Sequence, residues 1–247
     1  MIKCPEPDSA VMCGIIDLTR YKGFYGYILQ QLSKVHIAGQ EARIPTMAVG
    51  KKRDEILLRL YINDDWLKTQ VFGKASTEDQ AWGFLLGALE HETLHIVFDH
   101  LHLKFPDKLR GDVAVDWVVN SCIDKDKLLE GALLPDMFGF QPHESASWYY
   151  QALQNNLQFQ KMCKKRNFGL KGMFSNAVKS HDLWEETTSD SNMKDIVIDI
   201  LRHARDLCDK KFGNIPAEVI SHIAAANIPD LPERVKKRIY RRFLARF

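Results

Sequence analysis

The sequence predicts an α+β fold, mainly helical, with a small sheet or hairpin ahead of a long central helix. Two strand-like runs, RIPTMAVG at 43–50 and EILLRLYIN at 55–63, flank the charged KKRDE of a hairpin turn. Long stretches of helical spacing follow them. Two of these, at 76–102 and 112–124, are apolar almost all round and therefore read as buried.

Before the hairpin, residues 17–38 carry helical spacing with Ile28, Leu29, Leu32 and Val35 as the buried stripe. Ser76, Thr77, Asp79 and Gln80 form a helix start, with Thr77 and Gln80 in capping-box spacing. From there to about His102 only Gly83 and Gly87 interrupt the helix, and Pro106 ends it. DVAVDWVVNSCID at 112–124 makes the next helix. Pro135, Gly139 and Pro142 mark a loop before a helix around SASWYYQAL. Residues 160–192 are polar and irregular, long enough for a lid or mobile loop, and helical stretches at about 193–210 and 232–246 close the chain. The 247 residues suit one domain over 1–247, with a core of about 17–155 and a C-terminal helical extension of about 193–247.

A formal net charge of +2 argues against a dedicated polyanion binder. No run approaches the roughly eighteen apolar residues of a membrane span, and MIKCPEPDSAVMCG lacks the apolar stretch of a secretory signal. The five cysteines (Cys4, Cys13, Cys122, Cys163, Cys208) are scattered and form no C-x-x-C pair, as expected of reduced thiols in a cytoplasmic protein.

The chemistry centres on LEHETLHIVFDH, residues 89–100. A helix turns roughly 100° per residue, so His91 and His95 lie within about 40° of each other, one turn apart. Two imidazoles so placed can share one Zn²⁺, and Glu92, about 100° round from His91, suits a general base that touches a metal-activated water. H-E-x-x-H is weak evidence alone, and a catalytic zinc needs a third ligand. If the helix continues, His100 points roughly 160° away from the His91/His95 face, and His102 lies on the order of 10 Å along the axis beyond His95. In the next helix Asp112, Asp116 and Asn120 stand at i, i+4 and i+8 among valines. Unpaired carboxylates are expensive on such a helix. Asp116, 21 positions after His95, is the first choice for third ligand and Asp112 the second. The competing reading has Asp112 capping its helix and Asp116 orienting a histidine.

Tyr149, Tyr150 and His181 are candidates to stabilise an oxyanion, and aromatics in SWYYQAL serve equally as core. Asp99 is a candidate to orient a ligand, or a solvated helix end. PERVKKRIYRRFLARF, with Val235, Ile239, Phe243 and Phe247, reads as an amphipathic helix packed on the domain, and its charges leave contact with nucleic acid or an acidic membrane surface open, as does the basic KMCKKRNFGLKG.

With these motifs assembled, the chain resembles the zincin-like metallopeptidase domain of bacterial and phage proteins that often precedes a von Willebrand type A-like domain. The resemblance runs through LLRLYIN and DDWL, HETLHIVFDH, DVAVDWVVN, SASWYY, HDLW and NIPAEVISHI. It implies a zincin-like fold, His91 and His95 as ligands, Glu92 as base, and Asp116 as the aspartate of the second helix, with Asn120 one turn later. Tyr150 matches the family's tyrosine, His181 and Trp184 its histidine–tryptophan pair, and His100 a further histidine. Asp112 departs from an expected asparagine, and no D-x-S-x-S motif of the von Willebrand-like half is present. The expected function is a zinc-dependent metallopeptidase acting on a protein or peptide substrate. The alternatives are a non-catalytic, metal-stabilised protein-binding module, marked by His100 or His181 closing the site, and a metal-free helical interaction protein.

Overall fold

The computed structural model describes residues 2–39, 44–51, 57–165, 181–187 and 193–211. The architecture is α+β, mostly helical, around one three-stranded mixed sheet. Strand β3 (Arg59–Asn63) is central. It pairs in parallel with β1 (Ser33–Ile37) and antiparallel with β2 (Met47–Gly50), in the register Met47↔Ile62 and Gly50↔Arg59. The β2–β3 pair is antiparallel, as a hairpin requires, while the KKRDE turn falls mostly outside the described residues.

The single helix expected over 17–38 is instead two helices and a strand. Helix α1 (Pro7–Tyr21) stops at Lys22, whose φ of −133° and ψ of 66° leave helical space, and α2 (Gly23–Gln31) folds back on it. The two helices approach so closely at Gly26 that an added Cβ would lie 2.5 Å from the Thr19 Cα. After Leu32 the chain is extended, and Val35 and Ile37 pack with Ile44, Ala48 and Tyr61 beneath the sheet. Tertiary pairing with β3 overrides the helical spacing there.

After β3, Asn63 accepts a hydrogen bond from the Trp66 N–H, starting a short helical turn (Asp64–Trp66) that runs into a π-helical stretch (Leu67–Phe72). Helix α3 (Glu78–Val97) then crosses the centre of the molecule. Thr77 Oγ1 accepts from the Gln80 N–H, and Gln80 reaches back to the Ser76 N–H. Leu85, Leu89, Leu94 and Ile96 are fully buried, each worth about 1.5–3 kcal/mol of transfer free energy. Glu90, also buried, is held by Lys22 at 2.6 Å and Lys127 at 3.7 Å.

Helix α4 runs over Lys108–Ser121, four residues earlier than the sequence suggested, because Asp107 and not Asp112 caps it, accepting from the Arg110 N–H. Helix α5 (Ala146–Gln154) packs on α4 through Trp117 and Tyr149, 5.3 Å apart edge to face. The stretch expected to be irregular from 160 is helical at both described ends. Asn156 starts α6 (Leu157–Lys165) by accepting from the Phe159 N–H, and α7 covers Asp182–Thr187. Helix α8 (Met193–Lys211) packs on α2, burying Met193, Val197, Leu201, Ala204 and Cys208 in the main core. The basic C-terminal segment, and most of the 160–192 stretch suggested as a lid, lie outside the described residues. No helix among the described residues is long and apolar enough to cross a membrane.

Candidate metal centre

Helix α3 carries His91 and His95 on one face, one turn apart, with Nε2 atoms 2.9 Å from each other. The helix ends at Val97, short of His102. Asp99 takes a left-handed conformation (φ 56°, ψ 32°), a turn made here without glycine. The turn swings His100 back beneath the helix, so that its Nδ1 stands 3.0 Å from Nδ1 of His95. The expectation that His100 points away from the pair holds only for a continuing helix. Its ring meets the far side of His95, and the face toward His91 is left clear.

Helix α4 brings a polar stripe against this face. Asp112, Asp116 and Asn120 are all buried, and each does something different. Asp116 Oδ1 lies 3.5 Å from His91 Nε2 and 3.4 Å from His95 Nε2. Asn120 Oδ1 accepts from His91 Nδ1 at 2.9 Å, while its amide donates to the Leu133 carbonyl. Asp112 Oδ1 faces Nδ1 of a third histidine, His181, at 3.3 Å. His181 enters just ahead of α7, and its Nε2 stands 3.3 Å from Asp116 Oδ1. Trp184, one turn on, stacks on His181 (3.8 Å, 17°), meets His95 edge to face at 4.8 Å, and donates from Nε1 to the Val49 carbonyl on β2.

His91, His95, Asp116 and His181 thus converge one ligand atom each within 4.8 Å. Charge-assisted hydrogen bonds are normally about 2.7–2.9 Å long, so the three contacts to Asp116 Oδ1 at 3.3–3.5 Å are too long for them, and that buried oxygen has no hydrogen-bond partner. They do match the edge of a tetrahedron: donors about 2.0–2.1 Å from a central ion stand about 3.3–3.4 Å from one another. The Nδ1 partners point the same way. Asn120 accepts a hydrogen bond from His91 Nδ1, and with His95 Nδ1 facing His100 the Nε2 atoms of His91 and His95 are left to turn inward, while the Asp112 carboxylate lies 3.3 Å from His181 Nδ1. Imidazole nitrogens and a carboxylate facing one point suit a cation. The residues fit a metal ion.

The chain has no match among protein-family models, curated proteins or solved structures. The site therefore stands on its own geometry.

The electrostatics are those of a closely coupled buried cluster. Burial works against charging His181, but the carboxylates of Asp116 and Asp112 outweigh it and raise its pKa to about 10. Burial depresses His95 to about 3, helped by the neighbouring His91 and His181. Asp116 is held well below the ordinary carboxylate value by His181 and the other imidazoles, against its burial. Burial lifts Glu92 to about 7 although His91 and His181 pull it down. Glu92 Oε2 accepts from the Val49 N–H at 2.8 Å, so Glu92 and Trp184 between them occupy both outward main-chain groups of Val49.

Tyr150 is not brought to the cluster. Its hydroxyl accepts from the Asp107 N–H, its ring stacks on Phe105, and the Arg110 guanidinium lies over it. Asp107 precedes Asp116 by nine residues, about 13 Å along the helix. Tyr149 is core, donating to the Gln141 carbonyl. Asp99 pairs with His102 and touches no ligand histidine in the described contacts. His181, which the sequence offered as an oxyanion stabiliser or as a fourth donor closing the site, has its Nε2 in the donor cluster.

A cleft of about 800 Å³ ends on His91, Glu92, Asp116 and Asn120, while His95 and His181 are sealed behind Trp184. Asp112 does not line this cleft; its Oδ1 faces His181 and its Oδ2 lies 3.7 Å from Lys108 Nζ. Asp112→Asn removes the carboxylate charge facing His181 and is expected to weaken metal binding by about 10–100-fold, the scale of an outer partner of a ligand, read by competition with a chromophoric chelator.

Proposed function

We propose that the chain is a zinc-dependent metallopeptidase with a zincin-like fold. The observation that carries this reading is the Glu92 carboxylate, buried beside His91, where the cleft meets the donor cluster. Three imidazole nitrogens and a carboxylate oxygen that stands 3.3–3.5 Å from each of them are a donor set that suits Zn²⁺. Zinc bound there supplies a Lewis acid that polarises a carbonyl and generates a nucleophile at neutral pH.

His91, His95 and Asp116 hold the ion in this reading, with Asn120, His100 and Asp112 fixing the imidazoles. Glu92 handles the proton. Its Oε2 is anchored by Val49, and its other oxygen, with no hydrogen bond from the described residues, takes a proton from water and returns it to the leaving amine. The zincin-like assignment is supported by the order of parts: an edge strand, β2, lying against the H-E-x-x-H helix, and a following helix that delivers a carboxylate.

His181 favours a second reading. A fourth protein donor closes the tetrahedron, as structural zinc sites are closed, and the ion then braces a protein-binding module without catalysis. Peptide cleavage separates the two. The peptidase reading predicts turnover by zinc-loaded protein with an acid limb at or below pH 7: Glu92 must be ionised, its pKa is about 7 without metal, and a nearby dication can only lower it. One tightly held zinc with no turnover at any pH would leave the brace.

A further inference from the structure

The cleft has a direction and a chemical gradient that the hydrolytic reading does not use. Its floor is one face of α3, since Gln80, Phe84, Ala88 and His91 fall at helical spacing. From His91 to Gln80 is eleven residues, about 16 Å along the axis, which spans about five residues of extended peptide at about 3.3 Å each. One wall is Thr46 and Met47 at the start of β2 with Trp66, Gln70 and Lys74, and the other is the 125–133 segment after α4. Each wall is registered to the donor cluster by one side chain. Glu92 ties Val49 of β2, and Asn120 bonds both His91 and the Leu133 carbonyl.

The middle of the slot is apolar. Met47, Trp66, Phe84, Ala88, Leu129 and Leu133 line it, and Ala88 leaves the floor low between Phe84 and His91. On the axis Ala88 and Phe84 stand about 4.5 and 10 Å from His91, one and three extended residues away. Elsewhere the lining carries both signs, Lys74, Lys125 and Lys127 with Asp126 and Glu130, and Lys125 and Lys127 are already paired with Asp136 and Asp124, so charge there does not select.

We propose that this slot is a specificity subsite that takes an extended peptide by a bulky apolar side chain, seated over Ala88 one to three residues from the bond presented to Glu92. The proposal rests on the peptidase reading for the identity of its ligand, and Ala88 is its specificity-determining position.

The test uses zinc-loaded full-length Glu92→Gln, which binds without turnover, and fluorescein-labelled seven-residue peptides. A Leu- or Phe-containing peptide is expected to bind at least about tenfold more tightly than its Ser counterpart, the scale of one buried side chain. Ala88→Leu in that background fills the floor and is expected to erase the preference while zinc content and melting temperature stay unchanged. Ala88→Met is the second variant should Ala88→Leu melt early. Equal affinity for apolar and Ser peptides, or a preference that survives both folded Ala88 variants, would overturn the subsite. Cleavage by wild-type protein is read separately. Turnover with no apolar preference sinks the subsite and keeps the peptidase, whereas selective binding lost in Ala88→Leu without wild-type turnover keeps the subsite and sinks the peptidase.

Discussion

Asp116→Ala is expected to abolish tight zinc binding. Asp116 Oδ1 is the one atom near all three Nε2 donors, at 3.3–3.5 Å, so the substitution removes both a ligand and the negative charge that lets imidazoles and a dication share a buried space. The loss should exceed the roughly 10–100-fold that an outer hydrogen-bond partner carries. Removing one member of a buried charged set costs about 3–5 kcal/mol of stability, so Asp116→Asn, which keeps the shape, is the companion variant. Both should fail to retain zinc against a chelator while circular dichroism confirms that Asp116→Asn is folded. Wild-type affinity in Asp116→Asn would move the anionic ligand elsewhere, to Asp112 first.

Glu92→Gln is expected to behave in the opposite way, keeping zinc and losing cleavage. Glutamine fills the same volume and its amide oxygen can still accept from the Val49 N–H, so the β2 contact survives. It cannot exchange a proton near neutral pH. General-base catalysis is worth about 10²–10⁴ in rate, and a fall of that size in kcat with unchanged zinc stoichiometry is the expected result. Unchanged kcat would remove Glu92 from the chemistry.

What the sequence showed and what it hid divide along physical lines. The buried character of α3 and α4 was legible because apolar residues surround both helices, and His91 with His95 needed only the helical turn to be placed together. The stripe Asp112, Asp116, Asn120 was legible as a stripe but not in its parts. Which member faces which histidine depends on how α4 sits across α3, a tertiary fact. Residues 33–37 looked helical because Val35 fits a four-residue period as readily as a two-residue one, and only β3 decides between them. His100 was hidden by a left-handed aspartate where glycine is the usual signal. His181 lies 65 positions beyond Asp116, so no local spacing could bring it to the ligand atoms. Its neighbour in the motif, Trp184, stacks on it and closes the rear of the site.

The most direct measurement is the metal content of the purified full-length chain by elemental mass spectrometry, before and after reconstitution with zinc and removal of the excess. About one zinc per chain is expected, retained through gel filtration. No zinc after reconstitution of folded protein would contradict it, and His91, His95, Asp116 and His181 would then be a proton-sharing cluster in the core of an ordinary helical protein.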